Sequence, residues 1–319
     1  MINEIIKMIM ESNKIGITFH ESPDGDSLGS SLALLNALRV INKSAYIICK
    51  ERIPETFVFL PLSEEINGEC TEPLQKTDCL ITLDCGNVAR LNCNADFQNR
   101  KFKIINIDHH LSNDKFGDIN YVDTTAASVG EIMYKLIKKM NIQIDSSIAT
   151  CIYTSILTDT GSFRHSNTTY YTHEIVSDLI RSTGVDFSSI HRKIFDNKKF
   201  AMIKLQGLVI DELYLTSAGR LCVMKLTQKM LEKVKLDECD SAELISIGLK
   251  ISGVEAAILI KEKNIGIKAS LRSKEYVDVR KIAEIYGGGG HIRASGLSMD
   301  VSIDEAEKLL IRDFEEELI

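Results

Sequence analysis

Four short apolar runs, KIGITF (Lys14–Phe19), AYIICK (Ala45–Lys50), DCLITLDCG (Asp78–Gly86) and FKIINIDHH (Phe102–His110), restrict what this chain can fold into. Each has strand length and stops on turn or polar residues. Helical patterns lie between and around them, clearest over Leu28–Val40, Ser128–Met140 and Ile148–Thr158. Alternating strands and helices predict an α/β domain on a mostly parallel, doubly wound sheet covered on both faces. The Asp-Gly of SPDGD would suit a hairpin, but the continuation has helical period, so the stretch reads as a strand-to-helix loop. Ser128 and Glu131 have the spacing of a capping box.

The chain's 319 residues exceed the usual size of one domain. After RSTGVDFSS the pattern becomes charged and helical, which predicts a first domain over 1–187, a connector helix over 188–208 and a smaller α/β domain over 209–319. In the last, VIDELYLTSAGRLCVMKLT reads as two strands joined by a Ser-Ala-Gly turn, and GVEAAILIKEKNIGIKASLRS repeats the hairpin. VDVRKIAEIYGGGGHIRASG then reads as a helix, a glycine loop and a further segment.

Composition removes several classes. The N-terminus lacks the order of a secretory signal and no apolar run reaches the roughly 18 residues of a membrane span. The eight cysteines contain no CxxC pair and read as reduced, mostly buried residues of a cytoplasmic protein. A net charge of −7 argues against long DNA or RNA, whose binding needs many Lys and Arg on phosphates, but not against a small anion in a local pocket.

Ligands of open α/β sheets gather at the carboxyl ends of the strands. His20, Asp24, Asp26, Asp84, Asp108, His109 and His110 all fall there. Taken alone, Asp26 reads as a helix N-cap. Assembled, Asp24, Asp26, Asp84 and Asp159 would converge with His20 and His109, and each carboxylate pair about 4 Å apart repels by roughly 4 kcal/mol at an effective dielectric near 20. Cations are therefore needed. Two divalent ions would offset four carboxylates, and mixed oxygen and imidazole ligands suit manganese, iron, cobalt or zinc, with manganese preferred. Asp159 ends a predicted helix, where the dipole disfavours a carboxylate unless positive charge faces it.

The segments HESPDGDSLGSS, LDCG, DHH and TDTGSFR resemble, in order, the four motifs of the DHH phosphoesterases, and GGGGHIRASG is similar to the signature of the DHH-associated C-terminal domain. The resemblance runs from Ile17 to Gly296. It implies that His20 and Asp24 hold one metal, that Asp26, His109 and Asp159 hold the other, and that Asp84 bridges. It places His110 against the substrate phosphate and Asp108 behind a histidine as its orienting partner. It assigns the substrate's terminal phosphate or nucleotide to Arg272, His291 and Arg293 with the Gly288, Gly289 and Gly290 backbone, across a cleft between the two domains. The glycine run itself, Gly287–Gly290, is open to two readings, a flexible helix end or a set of N–H groups for an anion. Arg164 either reaches the phosphate or packs beside the fourth motif. His165, His173, His191 and Arg90 read as surface, connector or ion-pair residues.

The implied chemistry is two-metal hydrolysis of a phosphoester. Within the family, the two-domain length and the GGGGH ending look most like enzymes that degrade short RNA to 5′-mononucleotides (nanoRNases) and cleave 3′-phosphoadenosine 5′-phosphate (pAp) to AMP and phosphate. Expected partners are short oligoribonucleotides, pAp or dinucleotides and a second copy of the chain, with neither long duplexes nor membranes. The alternatives are a cyclic- or linear-dinucleotide phosphodiesterase and, from another class, a nucleotide-binding regulator without turnover.

Overall fold

The structure, a computed structural model, describes residues 1–97, 99–237, 239 and 242–318. The chain forms two compact units, Met1–Asn197 and Lys198–Ile319. In the first, α1 (Ile2–Glu11) leads into β1 (Lys14–Thr18), α2 (Gly25–Val40), β2 (Ser44–Ile47), β3 (Cys79–Leu83), β4 (Lys103–Asp108) and β5 (Ile119–Val122). Helices α3 (Val129–Lys139), α4 (Ser146–Asp159), α5 (Tyr170–Thr183) and α6 (Phe187–Phe195) follow. The five strands are all parallel in the order β2-β1-β3-β4-β5. The chain leaves β1 to one side for β2 and returns on the other side as β3, so the β1/β3 boundary is the switch point where such sheets open a crevice at their carboxyl ends.

Residue alternation assigns the faces. Ile15, Ile17, Phe19, Ile81, Leu83, Ile105 and Ile107 are buried in one core with apolar residues of all six helices. Leu80 points to the opposite face, where it packs with Ile48, Cys85, Leu91 and Cys93 under Val88, Phe97 and Phe116 from the connecting segments. Both faces are thus covered, one by helices and the other by loops.

The glycines of the opening motif let helices approach. A Cβ at Gly29 of α2 would lie 2.6 Å from the Cys151 carbonyl oxygen and 2.9 Å from the Ser155 nitrogen, and one at Gly130 of α3 would lie 2.1 Å from Ser155 Oγ. Only bare backbone allows α2 and α3 this close to α4. The result is that α4 delivers Ser155 and Asp159 to the carboxyl edge of the sheet.

The second unit runs α7 (Phe200–Glu212), β6 (Tyr214–Thr216), β7 (Leu221–Leu226), α8 (Gln228–Val234), α9 (Ala242–Leu249), β8 (Ala256–Glu262) and β9 (Ile267–Ser273). It closes with α10 (Val279–Ile285), β10 (Gly289–His291), β11 (Ala294–Met299) and α11 (Ile303–Glu317). Its sheet, in the order β10-β11-β9-β8-β7-β6, is antiparallel except for the β7–β8 pair. Helices α10 and α11 cover one face and α7, α8 and α9 the other.

Two local expectations fail for physical reasons. The segment 188–208 is not one connector helix. Ile190 and Ile194 belong to the first core and Leu205 and Val209 to the second, while the polar Asp196–Lys199 stretch between them is non-helical. The Ser128–Glu131 capping box also does not form. Ser128 makes no side-chain cap bond, and the Glu131 carboxylate accepts from Thr172 Oγ1 at 2.6 Å.

Candidate metal centre

The opening motif turns at the end of β1. The backbone pairs His20 with Leu91, and Asp24, not Asp26, caps α2, accepting from the nitrogens of Asp26 and Ser27 at 3.1 Å each. Asp26 therefore points inward from the first helical turn, and it is 1% exposed. Its Oδ2 accepts from Val129 N at 2.9 Å, and its Oδ1 from Gly130 N at 3.3 Å and Ser155 Oγ at 2.5 Å. A carboxylate in α2 thus caps α3 from 103 residues away, in place of Ser128.

Asp84 follows β3 with φ +53, a left-handed conformation that an aspartate tolerates better than most residues. The bend places a carboxylate that is 3% exposed at the switch point, and its Oδ1 has no hydrogen-bond partner. Three imidazoles surround it. His20 Nε2 lies 3.4 Å from Asp84 Oδ2 and 3.6 Å from Asp24 Oδ1. His109 Nε2 lies 3.7 Å from Asp84 Oδ1, 3.7 Å from Asp26 Oδ2 and 3.6 Å from Asp159 Oδ2. His110 Nδ1 lies 3.5 Å from Asp84 Oδ1.

The other nitrogens of these rings are already engaged. His20 Nδ1 donates to the Glu21 carbonyl at 2.8 Å and His109 Nδ1 to the Ala126 carbonyl at 3.2 Å, so each ring, when neutral, carries its lone pair on the Nε2 that faces the carboxylates. His110 is the reverse case. Its Nδ1 bonds Asp108 Oδ1 at 2.8 Å, leaving Nε2 for another partner. Asp108 is fully buried and spent on support: Oδ1 also accepts from the nitrogens of His109 and His110, and Oδ2 from Asn113 Nδ2 at 2.6 Å.

The electrostatics ask for positive charge. Burial raises the carboxyl pKa of Asp26 well above its ordinary range, with Asp84 and Asp159 adding to it. Burial also raises Asp84, with Asp24 adding and His20 opposing. Asp159 is pushed up to about 6, by burial first and then by Asp84 and Asp24, against His109. Burial would lower His20, but Asp24 and Asp84 outweigh it and raise the ring to about 10, while burial of Asp24 is overcome by His20, which holds it down to about 2. An imidazolium is here doing part of what a cation would do.

The residues fit a divalent cation on three counts: an orphaned buried oxygen on Asp84, two Nε2 atoms fixed in the accepting tautomer, and hard oxygen with imidazole donors. Ligand atoms of His20, Asp24 and Asp84 lie within 4.8 Å of one another, as do those of Asp26, His109 and Asp159. A third such group joins Asp84 and His109 to Asp108 and His110, but the bonds already made by Asp108 favour its supporting role.

A pH dependence follows. Folded Asp159 keeps its proton to about pH 6 against 3.8 when unfolded, and folded His20 to about 10 against 6.5. In both windows the folded state binds more protons, so cation-free stability falls as pH rises. The lowered Asp24 contributes above 3.8 and loses that contribution only on acidification through about 2. A bound cation replaces the protons. The rise in Tm on saturation with a divalent ion should therefore be larger at about pH 8.5 than at about pH 6; equal rises by calorimetry would contradict this account.

In the second unit, Gly289, Gly290 and His291 form β10, pairing with Gly296, Ser295 and Ala294 of β11, so the glycine run is partly strand. Gly290 has φ +140, and a Cβ there would lie 2.5 Å from the Ala294 oxygen. Arg272 is the register partner of Ala294 on β9, and His291 is exposed. Arg293 has different work: its guanidinium holds the Val277 carbonyl at 2.7 Å and also that of Glu275. Arg164 is exposed, with Nε held by the Gly161 carbonyl at 2.7 Å.

The sequence reading missed the supports. Asn113 bonds both Asp108 and Asn106, and Ser155 bonds Asp26. A polar Asn106 within the apolar run IINID was a readable signal for the first; nothing local marked Ser155.

A parallel sheet that gathers acidic and imidazole side chains of this kind at its switch point defines a metal-dependent hydrolase of the α/β class. Residues 14–156 match the DHH family, N-terminal domain, and residues 220–318 match the DHHA1 domain. The chain is 30% identical over 319 residues to the bifunctional oligoribonuclease and PAP phosphatase NrnA of Thermus thermophilus, covering 100% of this chain and 94% of that protein. It is 30% identical over 313 residues to the Bacillus subtilis protein of the same name, covering 97% and 96%. The crystal structure of an exopolyphosphatase-related protein from Bacteroides fragilis superposes with a TM-score of 0.89 at 27% identity, covering 99% of this chain and 97% of that one. The chain belongs to the DHH family of metal-dependent phosphoesterases. Among the described residues, no helix is long and apolar enough to cross a membrane.

Proposed function

We propose that this phosphoesterase breaks the P–O3′ bond of short RNA oligonucleotides, releasing 5′-mononucleotides, and the same bond of pAp, releasing AMP and phosphate. The observation that carries the reading is the convergence of six ligand-type side chains, Asp84 with its unpartnered oxygen among them, in a chain that spans nearly the full length of relatives named for these two activities.

Two divalent cations, manganese by preference, are assigned to the cluster: one to His20 and Asp24, one to Asp26, His109 and Asp159, with Asp84 shared. When bound, they supply Lewis-acid polarisation of phosphoryl oxygens and lower the pKa of the attacking water. The chain's own residues do the rest. Asp108 raises the His110 pKa through its hydrogen bond, against burial and with help from Asp84, which favours the protonated ring. From Nε2 that ring donates to a phosphoryl oxygen and then gives its proton to the departing O3′ as water adds to phosphorus. Arg272, His291 and the Gly288–Gly290 backbone bind the substrate's far phosphate or nucleotide. Arg293 is left out of that set, since its donors hold the 275–277 backbone in position. Eight free cysteines fit a reducing cytoplasmic setting.

The test is a substrate panel on cation-free and manganese-loaded protein: pAp, a linear dinucleotide, a five-residue RNA and cyclic di-AMP. Hydrolysis of pAp and both RNAs, only with manganese, is expected. Turnover of cyclic di-AMP without pAp would transfer the protein to the dinucleotide phosphodiesterases, and binding without any turnover would make it a regulator.

A further inference from the structure

Within the first unit, a surface cavity of about 460 Å³ is lined by Thr125, Glu131, Lys135, Thr169, Tyr170 and Tyr171. Its two rims are the same loops that position the metal centre. Next to Thr125, the Ala126 carbonyl fixes the His109 ring at 3.2 Å. Two residues before Thr169, Asn167 Nδ2 ties the Ala127 carbonyl, at 3.0 Å, to that of Asp159, at 3.2 Å. The cavity and the metal centre are therefore bounded by the same pair of tied loops.

The lining selects for chemistry. Tyr170 is 79% exposed at the mouth, although the chain buries most of its large side chains. Tyr171 lies under Lys135, whose Nζ is 4.7 Å from the ring centre. Glu131 brings a carboxylate that is 1% exposed, with Oε1 already accepting from Thr172. A phosphate is disfavoured, because Lys135 is matched by Asp123 at 3.3 Å and Glu131 adds further negative charge. A fatty chain is disfavoured by the threonines and the carboxylate. A flat heterocycle suits this lining: the exposed Tyr170 ring stacks on it, and Glu131, Thr125 and Thr169 accept from or donate to its edge.

We propose that this cavity takes the second nucleobase of an oligonucleotide, the base that pAp lacks. The inference rests on the activity proposed above. It gives the first unit a subsite of its own for substrate length, separate from the glycine segment of the second.

The test compares a dinucleotide with pAp in Tyr170→Ala and Tyr170→Phe. Stacking on one aromatic side chain is worth enough that Tyr170→Ala should raise KM for the dinucleotide relative to that for pAp by roughly tenfold, and Tyr170→Phe should restore the wild-type ratio. Binding is read independently of turnover with a dinucleotide carrying 2-aminopurine at its second position, mixed with cation-free protein. Quenching by wild type and Tyr170→Phe, lost in Tyr170→Ala, is expected. An unchanged KM ratio or unchanged quenching in Tyr170→Ala would overturn the subsite. Absence of wild-type turnover on both substrates would instead sink the proposed activity and leave the quenching to decide the subsite.

Discussion

Asp84→Asn should abolish turnover and divalent binding while making the cation-free protein more stable. Among the described residues, Asp84 is the one carboxylate near all three imidazoles, with Oδ2 toward His20 and Oδ1 toward His109 and His110. On the proposed assignment Asp84 is shared by both cations, so the fall in kcat should exceed the roughly 10²–10³ that accompanies removal of a single transition-state donor. Stability moves the other way because Oδ1 has no partner and burial raises the carboxyl pKa. The neutral amide relieves that burden, and asparagine also tolerates the left-handed backbone at φ +53. Alanine would confound the test by adding strain at that φ. For a domain of this size each kcal/mol gained appears as roughly 2–4 °C in Tm. A lower cation-free Tm, or retained manganese binding by calorimetry, would refute the role given to Asp84.

The opposed signs in that expectation explain which parts of the site were readable from sequence. An unpaired charge kept inside a core conflicts with local rules for folding, and such conflicts concentrate at functional positions. Asp84 after LITL, Asp108 after IINI and the crowded HESPDGD turn are polar groups where an apolar run should end in an ordinary loop. The first four strands were legible for the complementary reason: β1, β3 and β4 are nearly continuous buried apolar runs, and the edge strand β2 leads into the buried Ile47, Ile48 and Cys49. β5, Ile119–Val122, was not foreseen: its four residues are all half-buried and include Asn120 and Tyr121, so no apolar run announces it. What stayed hidden otherwise is mostly partnership over distance. Ser128 and Glu131 have the local spacing of a capping box, yet tertiary packing gives Glu131 to Thr172 and the end of α3 to Asp26. Arg293 stands within a glycine-rich anion-binding pattern, yet backbone carbonyls at 275 and 277 claim it.

Asp26 should behave in the opposite way to Asp84, although both belong to the same acidic cluster. Where Asp84 presents an oxygen with nothing to bind, Asp26 accepts from Val129 N, Gly130 N and Ser155 Oγ, and so joins the start of α2 to the start of α3 and the last turns of α4. Asp26→Ala leaves two backbone donors buried without acceptors and the Ser155 hydroxyl with only its longer bond to Ser128 Oγ, at 3.3 Å. At about 1–3 kcal/mol for each unsatisfied group, partly relieved by relaxation, the expected loss is about 3–5 kcal/mol. The cost should be present without any cation, measurable as a lower urea midpoint at unchanged slope. Asp26→Asn keeps one acceptor oxygen and should lose less, yet it should be as inactive as Asp26→Ala, because the cation proposed for Asp26, His109 and Asp159 loses one of its negative ligands. The three variants therefore separate two jobs within one cluster: Asp84→Asn inactive and stabilised, Asp26→Asn inactive and moderately destabilised, Asp26→Ala inactive and severely destabilised. If Asp26→Ala unfolded at the wild-type midpoint, the carboxylate would not be the cap of α3, and the close packing of α2, α3 and α4 would have to rest on their glycines alone.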